Sequence, residues 1–297
     1  MKMNAQSKWG WEVAAYLFLA GLGAGAYIFG VIADMAGWSV ELARIGVIIG
    51  LPCVLVGCIF LILDLGTPSN FWRAAMRPST SWIARGTIII SLFMIINAVH
   101  IGLWIWPFAS VLQGADIIRT VIGVIGVIFA FGTMIYTGIL LGAARPIAFW
   151  STALLPLLFM VSALSTGLMA IILIGSFTGA ESEDIRLLAA IDIILIVFKI
   201  LVLSFYLQAT HRVAESRASA QLVLTGEVAG MFWFGVVVLG LLIPLVFGLL
   251  AHGTAWGAVV ASICGIIGGL LLRKVVLAGG IYAPLKAGRF EYALPKQ

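Results

Sequence analysis

Eight long apolar runs constrain this chain more than any other feature of its sequence. Each is about 20 residues or longer, which is the length of helix that crosses the hydrocarbon core of a bilayer. The runs are Trp11–Met35, Ile45–Leu65, Ile83–Trp106, Ile118–Leu141, Thr152–Gly175, Leu187–Gln208, Val228–Leu250 and Trp256–Leu277. The sequence therefore predicts an all-α integral membrane fold, a bundle of about eight transmembrane helices.

Composition excludes a water-soluble fold. Of the 297 residues, 63% are hydrophobic and only 10% are charged, with a mean hydropathy of +1.18; soluble chains contain about 25% charged residues. The segments between the runs are too short to form a domain of their own. We therefore predict a single polytopic membrane domain over residues 1–297, located in the cell (inner) membrane.

The first run is interpreted as a retained helix rather than a cleaved signal peptide. Trp9, Trp11 and Glu12 stand where a signal peptide would have a basic and then smoothly apolar lead. Gly21 and Gly25 form a Gly-x-x-x-Gly spacing, which lets a neighbouring helix approach closely.

Lysine and arginine are distributed unequally between the two membrane surfaces. With eight spans both termini lie on one side, called here the terminal side; the opposite one is the far side. The terminal side would hold thirteen of the 17 basic residues and the far side three, with Lys199 inside the sixth span. The positive-inside rule then favours cytoplasmic termini. Docking of a soluble partner on a basic surface is a rival cause of the same asymmetry.

Four polar side chains from three spans are predicted to converge just below the terminal side. Glu12 and Tyr16 share a face of the first span, Asp64 closes the second, and Tyr136 lies about one turn inside the end of the fourth. Phenols and carboxylates in an apolar pocket can hydrogen-bond a quinone carbonyl, and a carboxylate can exchange a proton. The alternative is an interfacial aromatic belt with carboxylates that cap or snorkel.

A second polar group points across the bilayer. Asp192 and Lys199 are seven residues apart on one face of the sixth span, and His100 lies toward the far end of the third, with Asn97 one turn before it. Such a ladder could carry protons between the two surfaces. It could equally be a buried Asp–Lys pairing that fixes helix packing.

No haem or metal of its own is expected in this chain. Its three histidines, His100, His211 and His252, are fewer than the four axial ligands of a di-haem cytochrome. The cysteines lack the paired spacing of a metal or iron–sulfur site. There is also no phosphate-binding glycine loop, and no nucleic acid is expected as a partner.

Four stretches, spread in order over nearly the whole chain, resemble the polysulfide reductase membrane subunit (NrfD/PsrC) family. One opens the first span, one connects the second span to the third, one ends the fourth and one ends the eighth. They are Trp9–Gly25, Leu63–Pro68 with Phe71-Trp72, Ser81-Trp82 and Arg85-Gly86, then Tyr136–Leu141, and Arg273–Gly280.

The resemblance implies a quinone-reactive membrane subunit of a multi-subunit respiratory oxidoreductase, without independent catalytic activity. It would dock a ferredoxin-like iron–sulfur subunit, which contacts a catalytic subunit, often of molybdopterin type. Electrons would pass between the nearest cluster and menaquinone or ubiquinone, whose contact residues fall on Tyr16 and Tyr136. Arg73, Arg77 and Arg85 would meet an acidic patch of the iron–sulfur partner, and Arg85 would also hold the charge of Asp64.

Two other classes of function share this fold. A secondary transporter would use Asp192 and Lys199 as ligands for a small solute or ion, although the paired broken helices typical of transporters are not evident in the sequence. A purely structural anchor would tether a soluble complex and would tolerate replacement of every intramembrane charge.

Overall fold

A computed structural model describes most of the chain, and all structural statements below concern this part. The described residues are 6, 9–64, 76, 78–79, 81–105, 116–143, 147–178, 182–250, 255–282, 285–287 and 290–292. Within them, eight helices are long and apolar enough to cross a membrane. The predicted all-α integral membrane bundle is confirmed.

Seven of the eight spans are formed by regular α-helices, and the seventh is partly a π-helix. The first six are α1 (Trp11–Ala36), α2 (Val40–Leu63), α3 (Trp82–Trp104), α4 (Asp116–Gly142), α5 (Leu154–Thr178) and α6 (Ser182–Ala209). The seventh span begins as a π-helix (Met231–Leu242) and continues as α8 (Ile243–Leu250), and the eighth is α9 (Ala255–Ala278). The change from π-helix to α-helix falls next to Pro244, which is buried.

Four small elements on the terminal side are not evident from hydropathy, because none is apolar enough to form a span. A 3₁₀ turn (Thr210–Arg212) and a short helix, α7 (Ala214–Leu224), connect α6 to the seventh span. After α9, strands β1 (Leu285–Ala287) and β2 (Phe290–Tyr292) form an antiparallel hairpin with Lys286 opposite Glu291.

Two helices begin five residues before the predicted starts of their spans. α2 begins at Val40 rather than Ile45, and α6 at Ser182 rather than Leu187. Each extra turn carries acidic residues, which lower the hydropathy but interact favourably with the positive end of the helix dipole. They are Glu41 in α2 and Glu183 and Asp184 in α6.

Helix α1 lies at the centre of the bundle and is buried along most of its length. A Cβ atom at Gly25 would meet the backbone of Ala163 in α5, and one at Gly167 would meet the backbone of α1. The predicted close approach at Gly21-x-x-x-Gly25 is therefore confirmed, and Ala163-x-x-x-Gly167 is its partner. Gly30 on another face of α1 packs in the same way against Gly46 of α2.

Candidate functional site

Tyr16 and Tyr136, predicted to converge, are brought together by α1 and α4. Both side chains are buried, and their phenols are close enough to interact electrostatically, with Cys58 of α2 beside Tyr16. They lie about 8–9 Å from the terminal-side ends of their helices, at about 1.5 Å per residue. Gly86 of α3 makes room for the Tyr136 ring, because a Cβ atom there would overlap it. We call these four residues the tyrosine site.

The two phenols of the tyrosine site differ from the other buried phenols of the bundle. Tyr27 pairs with Nδ1 of His100 at 2.8 Å, and Tyr206 donates to the carbonyl oxygen of Phe149 at 2.8 Å. Among the described residues, neither Tyr16 nor Tyr136 has a hydrogen-bond partner for its hydroxyl. Buried tyrosines usually find such a partner, so this pair is free to donate to an oxygen atom of a ligand.

Two carboxylates stand at the membrane surface close to this site. Glu12, on the same face of α1 as Tyr16, and Asp64, directly after α2, are both exposed and close enough for their charges to interact. Partial burial and the nearby charge of Glu12 raise the pKa of Asp64 above its ordinary value. Asp64 therefore holds a proton more readily than an isolated carboxyl would.

Lys274 of α9 is a neighbour of Glu12 that sequence reasoning does not single out. Its charge acts on Glu12, and its ammonium lies 4.9 Å from the centre of the Trp11 ring. It follows Arg273 in the stretch that resembles the family, but nothing in the sequence indicates that the ends of α1 and α9 meet. Glu12 thus interacts with both the carboxyl of Asp64 and the ammonium of Lys274.

Arg85 does not hold Asp64 in the structure. Its guanidinium donates to the carbonyl oxygens of Pro78 and Ser79, each at 2.8 Å, and lies 4.7 Å from the centre of the Trp82 ring. The segment just before α3 is close enough in sequence for its carbonyl oxygens to accept from this guanidinium. The expected Arg85–Asp64 ion pair is therefore not formed. Arg73 and Arg77, expected on the same docking surface, lie outside the described residues.

Asp192 and Lys199 are brought together through a serine of α5. The Ser165 hydroxyl donates to Oδ1 of Asp192 at 2.8 Å and accepts from Nζ of Lys199 at 3.3 Å. Asp192 is 6% exposed and Lys199 2%. The sequence places the two ionisable groups on one face of α6, but it does not indicate that Ser165 bridges them.

Arg273 is the most prominent candidate functional residue that sequence reasoning misses. Its position near the end of the last span places it among the basic residues of the terminal side, but its side chain is 0% exposed. The guanidinium donates to the Ser162 hydroxyl and, at 3.0 Å, to the Phe159 carbonyl oxygen, with the Phe159 ring centre 4.7 Å away. The available signal is its place inside the predicted eighth span, since a charge within a span is costly and usually functional.

His100 belongs to a separate polar group near the far side. Besides its contact with Tyr27, it lies in the field of Arg119, which forms a 2.9 Å ion pair with Asp34. No hydrogen bond or ion pair within the described part of the molecule joins His100 to Asp192 or Lys199. The expected ladder is therefore two groups.

Asn97, one turn before His100, belongs to neither group. Its side chain bonds the backbone of α2, as donor to the Val47 oxygen and acceptor from the Leu51 nitrogen. It therefore holds α3 against α2 at a point where α2 contains a proline, Pro52.

The fold and these groups define a class: a polytopic helical membrane protein with a polar site just below one surface and buried charges in its interior. Among the described residues, no cluster of three or more His, Cys, Asp or Glu side chains could hold a metal ion. The sequence matches the model of the family "Polysulphide reductase, NrfD" over residues 1–284. The protein belongs to this family, which confirms the predicted resemblance.

Several relatives align with nearly the whole chain. It is 29% identical to the C chain of the polysulfide reductase of Wolinella succinogenes, over 93% of this sequence and 91% of that protein. It is 25% identical to protein NrfD of Escherichia coli, over 92% and 94% of the two sequences. It is 21% identical to the C subunit of the selenate reductase of Mesobacillus selenatarsenatis, over 96% and 77%.

Proposed function

We propose that this chain is the quinone-reactive membrane subunit of a multi-subunit respiratory oxidoreductase. Membership of the NrfD family and the names of relatives, which are subunits of polysulfide and selenate reductases, support a membrane subunit of an oxidoreductase complex. One observation carries the assignment to quinone: two neighbouring buried phenols, Tyr16 and Tyr136, have no hydrogen-bond partner in the described structure.

The tyrosine site suits a quinone because it combines donors with apolar walls. A quinone head group presents carbonyl oxygens to donors and apolar ring edges to the walls, and it reaches this depth from within the bilayer. The hydroxyls of Tyr16 and Tyr136 donate to a carbonyl oxygen and orient the ring. Hydrogen bonds that strengthen as charge develops on that oxygen favour its reduction.

Asp64 exchanges protons with the quinone site, and the neighbouring charge of Glu12 adjusts how readily it does so. Reduction of a quinone to a quinol consumes two electrons and two protons, and oxidation releases them. A carboxyl whose pKa is raised toward neutrality is a better proton donor and acceptor at physiological pH than an ordinary aspartate. Burial and the charge of Glu12 raise the pKa of Asp64 above its ordinary value, and the residue lies at the aqueous end of the site, where it can exchange its proton with water.

The electrons come from or go to a ferredoxin-like iron–sulfur subunit docked on the terminal side. That subunit binds a catalytic subunit of molybdopterin type, where the chemistry of the terminal substrate takes place. Basic residues of the terminal side, Arg85 and Lys274 among those described, provide charge for an acidic partner surface. The excess of lysine and arginine on this side favours cytoplasmic termini in the inner membrane.

Protons cross the bundle by way of the buried polar groups. Asp192 and Lys199 form one segment, in the middle of α6, and His100 with Tyr27 forms a second segment closer to the far side. Because the described side chains do not connect the two segments directly, water must complete the route between them.

Extraction of the complex from native membranes in mild detergent, with identification of what stays bound, tests this function. We expect an iron–sulfur subunit, a catalytic subunit and bound quinone. A Tyr136→Phe complex should retain the partners but lose most of the quinone. Tyr206→Phe, which removes a hydroxyl with a protein partner, should lose none.

Two outcomes would contradict the proposal. If Tyr136→Phe binds quinone as the unmodified complex does, the tyrosine site is not the quinone site. If the protein purifies alone and intact, without an iron–sulfur partner, a secondary transporter becomes the better explanation. The observation that favours a transporter is the buried Asp192–Ser165–Lys199 group, which could bind a small solute or ion.

A further inference from the structure

Three ionisable groups lie together inside the bundle and have unequal charge. Asp192, Lys199 and Arg273 are all at least nine-tenths buried, and Lys199 lies in the fields of both others. With every group ionised the set would have two positive charges and one negative. Because an unbalanced charge in the hydrocarbon core is costly, the arrangement favours a state in which one of the cations is neutral.

Arg273 supplies a fixed positive charge. A guanidinium is not deprotonated in proteins, and here its donors are held by three oxygens, those of Ser162, Phe159 and Gly269. No carboxylate within the described part of the molecule pairs with it directly. Its Nε has no partner in the described structure. Asp192 is the acidic member of this buried set, so among the described residues its charge is the one placed to balance Arg273.

The hydrogen bonds around Ser165 are satisfied when Asp192 is that balancing anion. Nζ of Lys199 donates to the hydroxyl oxygen of Ser165, which therefore has its single hydrogen free to donate. That hydrogen is directed to Oδ1 of Asp192. An ionised carboxylate accepts this hydrogen and has no hydrogen of its own that would need an acceptor.

Lys199 is the least satisfied of the three groups. An ammonium has three N–H donors, and among the described residues only Ser165 accepts from Nζ. A neutral amine has one donor fewer to satisfy and leaves the charges of Asp192 and Arg273 balanced. Lys199 lies about 15 Å from the terminal-side end of α6 at Ala209, at about 1.5 Å per residue, so a proton on it is near the middle of the membrane.

We propose that Asp192 and Arg273 have fixed, opposite charges and that Lys199 is the group of this buried set that gains and releases a proton. The amine takes its proton from water reaching the site and returns it to water, with no bond formed or broken elsewhere and no electron transferred. The role of this exchange in quinone turnover rests on the proposed function, whereas the charge assignment itself does not. Ser162, which accepts from Arg273, and Ser165, which contacts Lys199 and Asp192, lie one turn apart on α5.

The charge assignment is tested by thermal unfolding of the purified full-length protein in detergent. Asp192→Asn should cause the largest fall in the unfolding temperature, because it leaves Arg273 unbalanced. Adding Arg273→Met to that variant should recover most of the loss. Lys199→Met should cause a smaller fall than Asp192→Asn, and Ser204→Ala, an exposed control on α6, no change.

The opposite pattern would overturn the proposal. If Asp192 and Lys199 are a fixed ion pair, Lys199→Met will be as damaging as Asp192→Asn. The double variant Asp192→Asn/Lys199→Met will then recover stability, and Asp192→Asn/Arg273→Met will not. None of these outcomes depends on quinone, so they separate a failure of the charge assignment from a failure of the proposed function.

A measurement on the unmodified protein applies even if the Asp192 variants do not fold. Solid-state NMR of the protein with ¹⁵N-labelled lysine side chains, in liposomes, reports amine and ammonium nitrogens separately. We expect the signal that is missing from Lys199→Met to change between the two forms as the pH is varied. A Lys199 signal that stays ammonium throughout the range in which the protein is folded would overturn the proposal.

Discussion

The tyrosine site and the polar group near the far side use the same residue types in opposite ways. Near the far side, the Tyr27 phenol pairs with His100, and the Asp34 carboxylate pairs with Arg119 at 2.9 Å. At the tyrosine site the phenols have no partner in the described structure, and the nearby carboxylate of Asp64 has another carboxylate, Glu12, as its neighbour. Helix α1 contributes to both regions, with Tyr16 in the tyrosine site and with Tyr27 and Asp34 in the group near the far side.

The difference separates polar groups that stabilise the bundle from groups that are available to a ligand. A satisfied hydrogen bond adds about 1 kcal/mol to stability, whereas a buried unpaired donor costs about 1–3 kcal/mol. Like-charged neighbours add a further cost. The group near the far side also has an unpaired buried nitrogen, Nε2 of His100, but its phenol and its carboxylate are both paired. The unpaired phenols and like-charged carboxyls of the tyrosine site are therefore the arrangement that we assign to function rather than to stability. Paired substitutions, one in each region, test this distinction.

The largest difference is expected between Asp64→Asn and Asp34→Asn. Asp64→Asn removes the carboxyl that exchanges protons, and quinone turnover by the complex should fall by about 10²–10⁴-fold, the usual contribution of general acid–base catalysis. Asp34→Asn removes one partner of an ion pair near the far side and should lower the unfolding temperature without affecting turnover. The measurements are steady-state quinone turnover and thermal unfolding. Full turnover in Asp64→Asn would remove Asp64 from the mechanism.

A slightly smaller effect is expected from adding a methyl group under Tyr136. The new Cβ atom in Gly86→Ala would overlap the Tyr136 ring and force it to move, and displacement of an aligned group by about 1 Å can cost about 10²-fold in rate. Gly102→Ala in the same helix is the matched control, because a Cβ atom there meets nothing within 4 Å. Equal turnover in the two variants would show that the position of Tyr136 does not matter.

The sequence predicts the existence and order of the spans well, because each is a long apolar run with a clear break. It also predicts that Tyr16 and Tyr136 share a depth, since the direction of alternate spans fixes which helix ends meet the same surface. It misses α7, because that short helix is not apolar enough to be recognised by hydropathy. It also misses the five-residue extensions of α2 and α6, where acidic first turns interrupt the pattern.

The sequence does not determine which spans contact each other. Span order says nothing about neighbours, so the sequence suggests one ladder of His100, Asp192 and Lys199, although His100 pairs with Tyr27 of α1. For the same reason the sequence assigns Arg273 to a surface, although α9 brings its side chain into the interior beside Ser162 of α5. One sign of this burial is present in the sequence, because Arg273 stands inside a predicted span, where a charge is costly and usually functional.

Removal of a single hydroxyl is expected to have opposite consequences in the two regions. Tyr16→Phe should lower quinone turnover about tenfold, the value of one hydrogen bond of roughly 1.4 kcal/mol, with little loss of stability. Tyr27→Phe should destabilise the protein by about 1–3 kcal/mol, because Nδ1 of His100 loses its partner while Nε2 already lacks one in the described structure. The measurements are quinone turnover and thermal unfolding of both variants. A loss of stability in Tyr16→Phe as large as in Tyr27→Phe would contradict the distinction.

The smallest expected effect is a shift of the pH profile on removal of a like charge. The negative charge of Glu12 contributes to the raised pKa of Asp64, so Glu12→Gln should lower that pKa. Whether Asp64 acts as base in quinol oxidation or as acid in quinone reduction, the corresponding limb of the profile should then move to lower pH. Asp34→Asn, at the opposite surface, is the control and should leave the profile in place. An unmoved profile in Glu12→Gln would show that the charge of Glu12, which also interacts with Lys274, does not govern the proton exchange of Asp64.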